Sequence, residues 1–147
     1  KGTTLLGEAA LIAYGDETLP TTDHTATGIR ATLTAGENVV FGDLCYFKSD
    51  AKMWKTDADA SATTEGMLGI ALATIAAAAA GSFLLIGFIR DDTWVWTVGG
   101  PVYVSVTAGA MSQTAPSGSG DQIRKVGYSI SADVMYFCVD GTLMEVV

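Results

Sequence analysis

The sequence predicts an all-β fold: a small barrel or sandwich of short antiparallel strands, built from two similar units and preceded by an extended N-terminal arm. Short runs rich in β-branched and aromatic residues recur along the chain, separated by Gly, Asp, Ser and Thr. No long run repeats apolar residues at the spacing of a helix. A pattern in residues 42–72 also returns in residues 99–130. We therefore expect an arm over residues 1–34 and a β-rich core domain over residues 35–147.

The N-terminal segment differs from the rest of the chain. It is rich in Thr and Gly, contains Pro20 and the polar stretch 21–25, and shows no sustained periodicity. These features predict an extended arm outside the compact core. The apolar side chains of this arm that we expect at an interface with other subunits are Leu5, Leu6, Leu11, Ile12 and Tyr14.

The core is predicted to consist of short strands bounded by turn residues. Regularly spaced turns between strands of this length are typical of sandwiches and small barrels. The predicted strands cover residues 39–41, 44–47, 53–54, 67–72, 83–89, 94–98, 102–106, 123–130 and 134–139.

One uncharged window, residues 66–89, is long enough for a transmembrane helix. Gly69 and Gly87 lie inside its two apolar runs, and a weakly apolar Ala run, residues 76–80, separates them. No basic cluster flanks the window. We therefore predict two strands joined by small residues, and no membrane contact.

The internal repeat aligns residues 42–48 with residues 99–105, and residues 68–72 with residues 126–130. Each copy is predicted to contain a strand, a tight turn, a second strand, a polar loop, and a third strand with Gly at its second position. A glycine inside a strand marks a bend or a close approach of another backbone. The repeat predicts two β units folded together.

Trp94 and Trp96 form the strongest aromatic signal. Because side chains alternate along a strand, Trp94-Val95-Trp96 places both indoles on one face. A core or subunit contact would bury such a pair, whereas a sugar-binding platform would expose it. We expect Trp94 and Trp96 at an interface, with the platform as the alternative.

Composition excludes several classes of function. Charged residues make up 16% of the chain and the net charge is −8, whereas globular domains average about 25% charged residues. Few basic side chains are available to neutralise phosphates, so we expect no nucleic-acid partner. Cys45 and Cys138 lack metal-site spacing and are interpreted as buried free thiols, although a disulfide between them stays open.

The sequence offers no constellation for catalysis, so we expect no enzyme, no cofactor and no resident metal. His24 is the single histidine and lies in the Thr-rich segment. Ser119 is the nearest match to a nucleophile elbow, but Ser117 replaces the first Gly of that motif. The carboxylate pairs Asp57/Asp59 and Asp91/Asp92 lack the further ligands of a calcium loop, and are expected to cap turns.

Four segments resemble virion proteins of tailed bacteriophages and prophages. They are Gly-Asp-Leu-Cys-Tyr at 42–46, Leu-Gly-Ile-Ala-Leu at 68–72, Asp-Asp-Thr-Trp at 91–94 and Gln-Thr-Ala-Pro-Ser-Gly at 113–118. The chain from residue 34 to residue 147 is similar to β-rich head-decoration, or capsid-cement, proteins and to related virion surface modules. The resemblance implies a domain, often a trimer, that caps the capsid lattice, with an N-terminal arm reaching over neighbouring capsid subunits.

These lines predict a non-enzymatic virion protein that decorates and stabilises a bacteriophage capsid through contacts at subunit boundaries. Its expected partners are copies of itself and the major capsid protein, and the expected location is the outer capsid surface. Low charge and abundant small residues suit a repetitive assembly. Two alternatives remain open: a fibre-type module that binds a receptor or glycan, and a repeating subunit of a tail tube or extracellular filament.

Overall fold

The computed structural model of the protein describes residues 18–147, which form an all-β fold with one short 3-10 turn, Ser61–Thr63. This confirms the predicted fold class. The predicted interface residues Leu5, Leu6, Leu11, Ile12 and Tyr14 lie outside the described residues. The strands are β1 (Thr25–Ala35), β2 (Leu44–Phe47), β3 (Lys52–Lys55), β4 (Leu68–Ala71), β5 (Ala80–Arg90), β6 (Pro101–Val104), β7 (Met111–Ser112), β8 (Gln122–Ile123), β9 (Lys125–Ser129), β10 (Val134–Phe137) and β11 (Met144–Glu145).

A sheet of nine strands dominates the molecule, in the order β1-β3-β2-β4-β5-β10-β9-β6-β7. The remaining strands, β8 and β11, pair with each other. Because β1 also pairs with β5, the strands β1-β3-β2-β4-β5 close into a ring. Because the ring is closed, each of these five strands pairs with a neighbour on both sides over at least part of its length. We call this ring the first unit and strands β6–β11 the second unit.

The long strand β5 joins the two units. Along one edge it pairs first with β4, where Leu84 lies opposite Ile70, and then with β10, where Gly87 lies opposite Phe137. Along its other edge it pairs with β1 from end to end. Strand β5 therefore extends the β1–β5 ribbon from the first unit to the second, and we call this ribbon the shared ribbon.

The pairing within the two units follows the internal repeat. Strand β2 pairs with β3 and β4, as β6 pairs with β7 and β9. Cys45 lies opposite Gly69 in the first unit, and Val102, its counterpart in the repeat, lies opposite Gly127 in the second. The prediction of two similar β units is confirmed at the level of strand register.

Both glycines of the repeat sit where another backbone comes close. A Cβ at Gly69 would lie 3.3 Å from the Leu84 carbonyl oxygen, and one at Gly127 would collide with the Tyr136 carbonyl oxygen. These contacts explain why glycine recurs at the matching positions of β4 and β9.

The larger hydrophobic core takes side chains from both units, and the smaller core lies within the first unit. The buried members of the larger core are Leu44, Tyr46, Ala58, Leu68, Ile70, Leu84, Ile89, Val102, Val104, Val126, Met135 and Phe137. Those of the smaller core are Ala35, Val39, Cys45, Met53, Ala71, Ile75 and Phe83. The shared core makes the two units one packed body.

Residues 25–34, which we predicted as part of an extended arm over 1–34, belong to β1 and pair with β5. This part of the arm prediction needs correction. The strand was missed because it buries almost nothing: Ala35 is its one buried residue, and its exposed positions mix Thr25 and Thr32 with Ile29 and Arg30. Backbone pairing with β5 therefore holds β1 in the sheet, and alternation of polar and apolar residues cannot reveal it.

Three other predicted strands differ from the structure. Residues 94–98 form no strand, and only Val39 of residues 39–41 forms a bridge, to Ile75. In addition, Arg124 interrupts the predicted strand 123–130. The uncharged window 66–89 contains β4 and most of β5, as the strand prediction required. Within residues 18–147, no helix has the length and apolarity needed to cross a membrane.

Candidate functional site

A row of outward-facing residues crosses five strands of the sheet. The strand pairings place these residues side by side in the order β1, β5, β10, β9, β6. We call them the outer aromatic row, and its members are Thr27, Phe88, Tyr136, Tyr128 and Pro101. The ring centroids of Phe88 and Tyr136 lie 5.3 Å apart. Tyr128 remains 42% exposed, and no member of the row carries a charge at neutral pH.

The apolar surface continues along the β1–β5 ribbon. Ile29 and Ile86 lie opposite each other, and 53% and 37% of their surfaces are exposed. At the other end, the ammonium of Lys125 lies 4.8 Å from the Tyr128 ring centroid. A hydrogen bond with Tyr128 raises the pKa of Lys125 above its ordinary value. This face therefore combines apolar side chains with a cation, although the protein as a whole is acidic.

Trp94 and Trp96 lie together although their segment is not a paired strand. Their ring centroids are 5.3 Å apart, and both pack against the larger core, while Val95 between them is 89% exposed. The two indoles therefore lie side by side, but not on one face of a strand as predicted, because residues 94–98 form no strand. They line a cleft of about 240 Å³ together with Phe41, Gly42, Asp43, Asp91, Gly109, Ala110 and Met111.

The indole nitrogen of Trp96 is buried and has no hydrogen-bond partner among the described residues. A buried N–H group without a partner carries a desolvation cost of about 1–3 kcal/mol. The cleft itself offers two aromatic walls and two carboxylates, an arrangement suited to a hydroxylated ligand.

Next to this cleft, three potential metal ligands from distant parts of the chain converge. The Nε2 atom of His24 lies 3.6 Å from Oδ2 of Asp91 and 3.9 Å from Oδ1 of Asp23. Their donor atoms all lie within 4.8 Å of one another. We call Asp23, His24 and Asp91 the carboxylate–histidine cluster.

Local structure fixes each member of the cluster. The backbone at His24 has φ 56°, a left-handed conformation, and its ring packs against Phe41 with the centroids 4.5 Å apart. Asp23 Oδ1 accepts a hydrogen bond of 2.8 Å from the Asp92 amide. Asp91 Oδ1 accepts hydrogen bonds from the amide and hydroxyl of Thr93, at 2.9 and 2.6 Å.

This cluster is not apparent in the sequence. There, Asp91 stands next to Asp92 as a carboxylate pair, and His24 falls in the predicted extended arm. In the structure, Asp92 instead binds Arg90 and lies outside the cluster. Residues 25–90 separate His24 from Asp91, and only the pairing of Thr25 with Arg90 at the ends of β1 and β5 brings them together. No local motif could have shown this.

The other predicted carboxylate pair, Asp57 and Asp59, serves a turn. Asp57 accepts a hydrogen bond from the Asp59 amide at 3.1 Å, as expected for a turn-capping side chain. The negative charge of Asp57 raises the pKa of Asp59 above its ordinary value.

The structure leaves Cys45 and Cys138 as free thiols, with Cys45 buried and Cys138 partly buried. Burial, followed by the charge of Asp43, raises the pKa of the Cys45 thiol to about 12. Cys138 interacts with Tyr136, and that hydrogen bond raises the pKa of the tyrosine hydroxyl. A thiol with so high a pKa is a poor nucleophile at neutral pH, so Cys45 has a packing role.

Arg124 is a buried cation that joins a loop of the first unit to a loop of the second. Its guanidinium donates to the carbonyl oxygens of Thr64, at 2.6 Å, and Asp140, at 3.0 Å. Burial lowers the pKa of Arg124, although the group stays charged at neutral pH. Both partners are backbone atoms, which indicates a structural role.

Comparison of the chain with protein-family models and with curated proteins found no match.

Proposed function

We propose that this chain is a structural subunit of a tailed-phage particle that decorates the capsid and stabilises it through contacts between subunits. The observation that carries the proposal is the outer aromatic row, an uncharged and partly exposed strip across five strands. Monomeric proteins rarely expose continuous apolar surface of this kind, and larger patches mark interaction sites. The resemblance to capsid-cement proteins supplies the kind of assembly.

We assign a second copy of the chain as the partner of this row. A chain with net charge −8 repels its own copies over most of its surface. Repulsion is least where carboxylates are scarce, and the row has none, with Lys125 beside Tyr128 at one end. Tyrosine is also enriched at interfaces because its ring is apolar and its hydroxyl can stay hydrated.

Sedimentation velocity of the full chain tests self-association. We expect an oligomer, and we expect Tyr128→Asp to shift it toward the monomer because a carboxylate would be buried without a partner. Val106→Asp is the matched control, since Val106 is 45% exposed and lies outside the row. A wild-type monomer, or equal effects of the two substitutions, would refute the interface.

Immunogold electron microscopy with antibodies against this chain tests the location. Virus particles released by the source culture should carry label over the head. Label confined to tails or fibres would support the alternatives of a tail tube subunit or fibre module, and unlabelled particles would contradict a virion protein.

The cleft at Trp94 and Trp96 favours glycan binding as a second candidate function. Its two indoles provide surfaces that stack on sugar rings, and the carboxylates of Asp43 and Asp91 accept hydrogen bonds from sugar hydroxyls. A glycan array probed with the full chain tests this. Trp96→Ala removes one of the two indoles and should weaken any binding observed. Absence of binding to every glycan on the array would remove this candidate.

A further inference from the structure

We propose that Asp23, His24 and Asp91 bind a divalent transition-metal ion, with Zn²⁺ as the best fit. The site would be structural, and it goes beyond the proposed role in an assembly, since it concerns how the chain itself is held together. One imidazole nitrogen and two carboxylate oxygens are donors that Zn²⁺ accepts. A water molecule would complete a four-coordinate shell.

The distances within the cluster suit a metal better than a direct ion pair. A charge-assisted hydrogen bond from imidazolium to carboxylate is about 2.7–2.9 Å long. His24 Nε2 instead lies 3.6 Å and 3.9 Å from the two carboxylate oxygens. Around tetrahedral Zn²⁺ with bonds of about 2.0–2.1 Å, ligand atoms lie about 3.4 Å apart. Small side-chain rotations would therefore bring all three donors into coordination.

The Asp91 carboxylate provides an independent reason to expect a ligand. Its side chain is 9% exposed, and Oδ1 is fully engaged by Thr93. Among the described residues, Oδ2 accepts no hydrogen bond and faces His24. This oxygen is therefore available to a ligand, and no Lys or Arg in the described part of the chain forms an ion pair with Asp91 or Asp23.

The contacts around the cluster resemble those that orient metal ligands. The packing of His24 on Phe41 restricts the ring, and the hydrogen bonds to Asp23 and Asp91 restrict the two carboxylates. Such outer contacts hold ligands in place before the metal arrives and so reduce the ordering cost of binding.

The position of the cluster shows what the metal would do. Asp23 and His24 directly precede β1, and Asp91 directly follows β5. The ion would therefore clamp the end of the shared ribbon, where Thr25 pairs with Arg90. Because a metal that binds only the folded state stabilises it by mass action, Zn²⁺ should raise the melting temperature.

The single histidine makes the test unambiguous. Untagged full-length chain, stripped of metal with EDTA, is titrated with ZnCl₂ by calorimetry and by NMR of the imidazole nitrogens. We expect one equivalent of Zn²⁺ to bind, to shift the Nε2 signal of His24, and to raise the melting temperature. No binding, or binding that leaves the His24 signals unchanged, would overturn the proposal.

Two substitutions and a control complete the experiment. Asp91→Asn keeps the shape of the side chain, and His24→Asn suits the left-handed backbone while removing the imidazole. Each should weaken Zn²⁺ binding by about tenfold or more. Asp59→Asn removes an exposed carboxylate outside the cluster and should bind as wild type does. His24 is 52% exposed at its side chain, so its variant should stay folded, and wild-type affinity in it would refute the site.

Discussion

Cys45 shows how one buried group sets the response of the protein to alkaline pH. The thiol would lose its proton near pH 9.0 in the unfolded chain, whereas burial in the folded state raises its pKa to about 12. The folded state therefore retains a proton that the unfolded state releases. The stabilising contribution is complete below about pH 9 and is lost as the pH rises from 9 toward 12.

We predict that Cys45→Ala will flatten this alkaline decline. Urea unfolding of wild type and variant between pH 8 and pH 11 measures it, because Tyr and Lys residues titrate in both proteins and cancel in the difference. The free energy of unfolding of the wild type should fall more steeply above pH 9. If the pH dependence of the two unfolding free energies is parallel, the Cys45 thiol loses its proton as readily in the folded state as in the unfolded state, which contradicts the prediction. Cys138→Ala is the control, since that thiol is only partly buried.

At the scale of the elements, the shared ribbon depends on two glycines that face each other, Gly28 in β1 and Gly87 in β5. Both have positive φ, at 126° and 149°, which side chains rarely adopt. A Cβ on Gly87 would collide with the Thr27 carbonyl oxygen, and one on Gly28 with that of Ile86. The glycine pair lies where β5 changes its partner from β4 to β10, next to a register shift at Ile29 and Arg30.

We predict that Gly87→Ala will destabilise the protein by about 3 kcal/mol or more, because backbone strain and a steric clash add together. Gly99→Ala is the matched control. Gly99 also has positive φ, at 77°, but a Cβ there would meet nothing within 4 Å, so the expected cost is about 1 kcal/mol. Urea unfolding measures both, and equal losses would show that the close approach in the ribbon is unimportant.

The same ribbon marks the limit of what the sequence could predict. The strands of the repeat were predictable because apolar residues and glycines recur at matching positions, as at Gly69 and Gly127. Strand β1 was not, because backbone pairing rather than side-chain burial holds it. The carboxylate–histidine cluster depends on that strand, so it was equally hidden. The closeness of Trp94 and Trp96 and the unsatisfied indole of Trp96 both depend on packing against the core, since residues 94–98 form no strand in which side chains alternate.

At the scale of the whole molecule, only 16% of the residues are charged, and the apolar residues lie both in the interior and on the surface. Part of the apolar content fills the two cores, part lies on the outer aromatic row and the pair formed by Ile29 and Ile86, and part is exposed elsewhere, as at Val95 and Val98. Core formation accounts for the first part, and the proposed contact between copies accounts for the second.

The shared strand and shared core also predict how the protein unfolds. Leu84 and Ile89 of β5 pack in one core with Ile70 of the first unit and Met135 of the second. Neither unit can lose β5 without exposing part of that core to water, so the two should unfold together. We expect a single urea transition, with coincident curves from backbone circular dichroism and tryptophan fluorescence.

Trp54 in β3 reports on the first unit, while Trp94 and Trp96 lie beyond β5. Trp54→Phe therefore leaves fluorescence from the latter pair alone, and its curve should still match the circular dichroism. Separate midpoints would show that the repeat folds as two independent halves, because only then could one half melt while β5 stayed paired in the other.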